Sequence, residues 1–101
     1  MKVEKIEYPS SPEESNPEND NLDVHVTLKD GRTYSFVVAT PNNIYWCMHN
    51  EGKDYFFGIP PVFVKQLTRQ NIESALKALV SEGKGKWLEL YGVLQSARDR
   101  R

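Results

Sequence analysis

The amino-acid sequence predicts an α+β fold in which a mixed, mostly antiparallel sheet of about four or five strands carries two helices on one face. Three observations support this prediction. The 101 residues leave room for one hydrophobic core. Apolar residues recur with a period of two from Leu22 to Ala39, which is typical of paired strands, and with helical spacing from Ile72 to Val80. We therefore expect a single domain over residues 1–94, followed by a flexible basic tail over residues 95–101.

The composition is that of an ordinary globular protein, with 39% hydrophobic and 27% charged residues. Thirteen Lys and Arg oppose fourteen Asp and Glu, and the net charge of −1 lacks the basic excess expected of a phosphate-binding protein. No apolar run is long enough to cross a membrane, and the amino terminus lacks the apolar core of a signal peptide. We expect a cytoplasmic protein that binds neither nucleic acid nor a membrane.

The first strand is predicted over Lys2 to Tyr8, and an acidic loop over residues 9–21 follows it. The loop reads PSSPEESNPENDN, and it contains neither Lys nor Arg nor a large apolar side chain. Such a segment buries too little surface to offset its ordering entropy, so we expect it to be mobile. Two interpretations stay open, a solvated connection between two strands and a docking segment for a basic partner.

A β-hairpin is predicted from Leu22 to Ala39. A three-residue loop, Lys29 to Gly31, with Gly31 left-handed in a bulge, brings the apolar side chains of both strands to one face. A two-residue turn would leave the aromatic side chains of the second strand on the polar face. The three-residue loop pairs Leu28 with Arg32, Val26 with Tyr34 and Val24 with Phe36, and leaves on the polar face Asp23, His25, Thr27, Thr33 and Ser35.

A short helix is predicted over Pro41 to Asn50. Thr40 is a good N-cap, proline suits the first helical position, and Gly52 falls where a left-handed C-terminal cap belongs. The next segment, Asp54 to Phe57, is expected to be a short extended piece that ends before Gly58.

A further strand is predicted over Val62 to Leu67, and its apolar residues on both faces favour a central position in the sheet. Thr68 then caps the clearest helix, which ends at Gly83 and has an apolar stripe formed by Ile72, Ala75, Leu76, Leu79 and Val80. The last apolar segment, Lys86 to Tyr91, is predicted as a strand, although its spacing also fits a helix.

Two residues could support catalysis. Cys47 lies near His49 and Glu51, but residues two apart on a helix point in different directions, so we interpret Cys47 as a small buried hydrophobic residue. His25 lies on the polar face of the hairpin beside Asp23, and a histidine next to a carboxylate can act as an acid or a base. No second catalytic group can be placed near either residue, and the sequence predicts no metal site and no cofactor.

The aromatic residues are unevenly distributed, because six of the eleven lie within nineteen residues, between Tyr45 and Phe63. One helix cannot bury all of Ile44 to Met48 on one side. Two interpretations follow. Either the segment Tyr55 to Phe57 folds over the first helix and completes the core, or a clustered aromatic surface remains exposed and binds a partner. The second interpretation assigns binding to Trp46, Tyr45, Tyr55, Phe56 and Phe57.

The layout is similar to that of small stand-alone bacterial α+β proteins, including toxin-neutralising immunity proteins, and this architectural likeness transfers no functional residue. The leading hypothesis is a non-enzymatic interaction module that binds another protein through the aromatic segment, helped by the acidic loop. The alternative is a small enzyme or ligand-binding domain that uses His25 or Cys47. A third hypothesis is homodimerisation through a sheet edge or the aromatic surface.

Overall fold

The hairpin at the centre of the fold has the predicted register. In the computed structural model, which describes residues 2–57, 61–82 and 86, strands β2 (Asn21–Leu28) and β3 (Thr33–Ala39) pair antiparallel, with Val24 opposite Phe36 and Val26 opposite Tyr34. The N–H of Leu28 donates to the C=O of Arg32, and Gly31 has a φ of 94°. The three-residue loop with a left-handed glycine is therefore confirmed.

Two more strands extend the hairpin to a four-stranded sheet of order β1-β2-β3-β4. Strand β1 (Val3–Glu7) pairs antiparallel with β2, and a bulge interrupts its register between Val3 and Lys5. Strand β4 (Val62–Phe63) pairs parallel with β3 at the opposite edge. The sheet is mixed and mostly antiparallel, which confirms the predicted fold class. The acidic loop connects β1 to β2 as expected, and its last residue, Asn21, is the first residue of β2.

The predicted central strand over Val62 to Leu67 is wrong. Only Val62 and Phe63 form strand β4, which lies at an edge of the sheet formed by the described residues, and Phe63 is exposed. After the N–H of Val64 bonds to Ala39, the chain leaves the sheet, and the N–H of Leu67 donates to the C=O of Pro17 in the acidic loop. The apolar side chains of Val64 and Leu67 therefore reach the core from a loop and not from a β-strand. The residues Asp54 to Phe57, expected to be extended, belong to no strand of the described sheet.

Both predicted helices are present. Helix α1 (Pro41–Glu51) begins after the N-cap Thr40 and ends at Gly52, whose φ of 68° is left-handed. Helix α2 (Arg69–Ser81) begins after the N-cap Thr68. Within the described residues, no helix is long and apolar enough to span a bilayer. The predicted segment Lys86 to Tyr91, apart from Lys86, and the tail over residues 95–101 lie outside the described residues.

The core lies between the apolar face of the sheet and α2. Its buried side chains come from β2, β3, the 64–67 loop and α2: Leu22, Val24, Val26, Leu28, Tyr34, Phe36, Val38, Val64, Leu67, Ile72, Leu76 and Val80. Helix α1 contributes no apolar side chain to this set, because Asn43 is its one buried residue. The described core is thus built without the aromatic residues of α1.

The left-handed conformation of Gly31 predicts a stability cost for a side chain at this position. A Cβ at residue 31 would have no atom within 4 Å, so the cost of Gly31→Ala comes from the backbone alone. We expect it to lower the free energy of unfolding by about 1 kcal/mol, measured by urea denaturation. Gly31→Asn should cost less, because asparagine tolerates the left-handed region. Equal losses in both variants would contradict this explanation.

Candidate interaction surface

Thr40 joins the acidic loop to the start of α1. Its N–H donates to the C=O of Asp20 at 3.3 Å, and its hydroxyl donates to the C=O of Glu18 at 3.0 Å. The same hydroxyl oxygen accepts the N–H of Asn43 at 3.3 Å, as an N-cap does. Thr40 is 1% exposed, so these bonds form where water does not compete for them. One buried side chain therefore caps the helix and holds the loop.

Asn43 makes the second connection between loop and helix. Its Nδ2 donates to Oδ1 of Asn19 at 3.1 Å, and its Oδ1 accepts from Nδ2 of Asn21 at 2.9 Å. Asn43 is 6% exposed, and a buried amide is stable only when such bonds are made. We call the side chains of Thr40, Asn43, Asn19 and Asn21, with the backbone of residues 18–20, the anchor network.

Of this network, only the helix cap at Thr40 could be predicted from the sequence. Asn43 lies 24 positions from Asn19 and 22 from Asn21, so local spacing carries no information about the pairing. A weak signal was present, since asparagine in the first turn of a helix often bonds to a neighbouring backbone or side chain.

The other end of the acidic loop is held by a clasp of three charged residues and one tyrosine. Glu13 accepts from Nε of Arg69 at 2.9 Å and from its second guanidinium nitrogen at 3.0 Å, so the pair is bidentate. The guanidinium of Arg69 lies 4.5 Å from the centre of the Tyr8 ring, and the Tyr8 hydroxyl donates to Glu73 at 3.2 Å. The clasp joins the loop to α2 and to the end of β1.

The clasp moves the pKa values of its members in consistent directions. The hydrogen bonds from Arg69 lower the pKa of Glu13, and the same bonds raise the pKa of Arg69. Partial burial, followed by the negative charge of Glu73 and its hydrogen bond, raises the pKa of Tyr8 to about 12. The Glu13–Arg69 pair is exposed, so its contribution to stability is small.

The acidic loop makes more contacts with the rest of the fold than its composition predicted. Residues Pro12–Glu14 form a 3-10 helix, Pro12 is buried, and the C=O of Pro17 accepts the N–H of Leu67. The composition did not predict these contacts, because they are made by backbone carbonyls and a buried proline and not by large apolar side chains; the mobility of the loop stays a prediction. The side chains of Glu14 and Glu18 stay exposed.

The aromatic residues predicted to bind a partner are exposed. Tyr45 and Trp46 on α1 are 72% and 49% exposed, and in the segment after α1 the exposed side chains are Tyr55, Phe56 and Phe57. The interpretation in which Tyr55 to Phe57 folds over α1 to complete the core is therefore wrong. These residues also form no single cluster, contrary to the expected clustered surface. Within the described residues, the ring contact of this region is the stacked pair of Tyr55 and Phe57, whose centroids are 5.9 Å apart.

A shallow cleft lies beside Tyr45, between the end of α1 and the residues that follow it. It has a volume of about 180 Å³ and is lined by Tyr45, Met48, His49, Lys53 and Asp54. The ammonium of Lys53, which lines the cleft, lies 6.0 Å from the centre of the Tyr55 ring. This cleft has both apolar and charged walls, which suits a side chain of a macromolecular partner.

The two candidate catalytic residues lie apart from this cleft. Cys47 is a free thiol on α1, partly buried, with its Sγ 4.0 Å from Oδ1 of Asn43. His25 lies opposite Ser35 on β3, as predicted, and opposite Glu7 on β1. Within residues 2–57 and 61–82, no group of three or more His, Cys, Asp or Glu side chains is placed to hold a metal ion.

Comparison of the chain with protein-family models, with curated proteins and with solved structures gave no match.

Two threonine caps provide a matched test of the anchor network. Thr40 and Thr68 each accept an N–H at a helix start, but only Thr40 is buried and also donates to the acidic loop. We expect Thr68→Ala to lower the free energy of unfolding by about 1 kcal/mol, and Thr40→Ala by about 2 kcal/mol or more. Urea denaturation measures both, and equal losses would show that the bond to Glu18 contributes nothing.

The raised pKa of Tyr8 predicts a loss of stability at alkaline pH. The folded protein favours the protonated phenol, so this contribution is complete below pH 10.0, the ordinary value, and is lost as the pH rises through about 12. We expect the free energy of unfolding to fall across this range and to fall less steeply in Tyr8→Phe. Tyr45→Phe, which alters an exposed tyrosine, should retain the full decline. Parallel curves for all three proteins, from urea denaturation, would contradict the clasp.

Proposed function

We propose that this chain is a non-enzymatic interaction module that binds a basic protein. The binding surface consists of Tyr45 and Trp46 on α1, the segment Tyr55 to Phe57, and the acidic loop. The observation that carries the proposal is the anchor network, because it holds an acidic segment against the helix that exposes the aromatic side chains. Neither feature alone would specify the kind of partner.

The aromatic side chains supply the apolar part of the surface. Their exposure leaves apolar area in water that the described core does not use. Burial of such area contributes about 25 cal/mol per Å², and Trp and Tyr are the residues that most often dominate binding energy at interfaces. The cleft beside Tyr45 accepts one protruding side chain of the partner.

The acidic loop supplies the electrostatic part. The loop carries four carboxylates and no Lys or Arg, Asp23 on β2 adds a fifth, and Glu13 is the member engaged by Arg69. Glu18 belongs to the anchor network through its backbone only, so its side chain is available to a partner. A basic partner would be attracted by this charge, and its lysines or arginines could also stack on Trp46.

The likeness to immunity proteins gives this proposal a specific version, in which the acidic loop occupies the nucleic-acid site of a basic toxin. A free thiol at Cys47 fits a reducing compartment, and we propose a cytoplasmic location.

Affinity capture from the native host, followed by mass spectrometry, tests the proposal. We expect the wild-type protein to retain a basic partner and the variant Trp46→Ala/Tyr55→Ala to lose it. Phe63→Ala is the matched control, since Phe63 is exposed to 50%, close to the 49% of Trp46, but lies on β4 outside the proposed surface. Circular dichroism should be unchanged in both variants.

The charge component has its own controls. The double substitution Glu14→Gln/Glu18→Gln should weaken capture of the partner, whereas Glu82→Gln should have no effect. Raising the salt concentration should weaken capture by the wild-type protein. The proposal is overturned if the Trp46 and Phe63 variants capture the partner equally well. It is also overturned if the captured partner is acidic and its capture does not depend on the salt concentration.

A further inference from the structure

Within the residues that the structure describes, the outer edge of β1 is open for strand pairing. β1 is the first strand of the sheet order and pairs with β2 on one side. On its other side, no described residue pairs with it. An open edge presents backbone N–H and C=O groups that an extended peptide can pair with.

The register identifies which backbone groups face outward. The N–H of Leu28 donates to Arg32, so the alternate residues of β2 that include Leu28 direct their bonds to β3. His25 and Thr27 therefore direct theirs to β1, where they lie opposite Glu7 and Lys5. Ile6, between these two, directs its N–H and C=O to the open edge.

Helix α2 forms a wall beside this edge, and two clefts follow the line between them. The first, of about 250 Å³, is lined by Val3, Glu4, Lys5, Ile6, Glu73 and Lys77. The second, also of about 250 Å³, is lined by Lys2, Val3, Lys77, Val80 and Ser81. Because both include Val3 and Lys77, they form one continuous groove, which we call the β1–α2 groove.

The two ends of the groove differ in charge. Among the described residues that line it, the end near Val80 carries Lys2 and Lys77 and no carboxylate, and Val3 and Val80 supply apolar contacts. At the other end, Glu4 and Glu73 balance the lysines. An occupant that is complementary to this groove places an apolar side chain and a carboxylate at the Val80 end.

We propose that the β1–α2 groove binds a short extended peptide segment of a partner protein. The segment pairs with the backbone of Ile6, packs an apolar side chain against Val3 and Val80, and places a carboxylate between Lys2 and Lys77. This site is separate from the proposed aromatic surface, and either one can fail without the other.

The edge itself argues against a second copy of this chain as the occupant. The bulge between Val3 and Lys5 interrupts the strand. The strand and the residue before it also carry four charged side chains of alternating sign, Lys2, Glu4, Lys5 and Glu7. Bulges and charges of this kind prevent long edge-to-edge pairing, whereas a short peptide needs only the backbone groups around Ile6.

A defined peptide tests the proposal. The probe is a fluorescein-labelled heptapeptide of alternating Thr and Val that ends in Asp, and its binding to the full chain is followed by fluorescence anisotropy. We expect saturable binding to the wild-type protein. The double substitution Lys2→Glu/Lys77→Glu should raise the Kd at least about tenfold. Lys65→Glu, beyond β4 at the opposite sheet edge, should change the Kd by less than about twofold. In 15N–1H spectra the peptide should shift the amide of Ile6.

Two modified peptides keep the test decisive if the lysine variant does not fold. Replacing the terminal Asp by an amidated Asn should weaken binding as much as the lysine variant does, and replacing the central Val by Pro should abolish it, since proline cannot pair as a strand. The proposal is overturned by absence of binding, by binding that tolerates the proline, or by sedimentation showing that a second copy of the chain occupies the edge.

Discussion

The buried hydrogen bonds of Thr40 and Asn43 are the constraint on which the proposed function depends. They connect the start of α1 to the end of the acidic loop and the first residue of β2, which lie 22 to 24 positions earlier in the chain. Polar bonds in a site closed to water are directional, and breaking one leaves a buried group unsatisfied. The network therefore determines where the loop lies as well as how strongly it is held.

This constraint also helps to hold α1, which contributes no apolar side chain to the core formed by the described residues. Asn43 is the one buried residue of the helix, and Ile44, Cys47 and Met48 are only partly buried. The polar anchor substitutes for an apolar stripe, so Tyr45 and Trp46 can point into solvent without loss of the helix. In α2 the reverse holds, because Ile72, Leu76 and Val80 are buried and its polar face is exposed. One helix thus stabilises the fold and the other displays side chains.

Much of the fold could be predicted from the sequence, because it depends on local patterns. The hairpin register followed from the alternation of Val24 and Val26 and the position of Gly31. Each helix was predicted from a threonine at its N-cap and a glycine after its last turn. The edge position of β4 could not be predicted, since Leu67 leaves the sheet to bond with Pro17, far along the chain. The exposed aromatic residues were anticipated as one alternative, but their division into separate groups depends on the path after Gly52. The anchor network depends on pairs 22 and 24 residues apart, which no local pattern encodes.

The most direct measurement is the {1H}–15N nuclear Overhauser effect of the acidic loop, in the wild type and in two asparagine variants. If the anchor network holds the loop, the amides of residues 18–20 give values as high as those of β2 in the wild type. Asn43→Ala lowers them, and Asn42→Ala, at the exposed neighbouring position, leaves them unchanged. Low values in the wild type, or equal values in the two variants, would show that the loop is not fixed to α1.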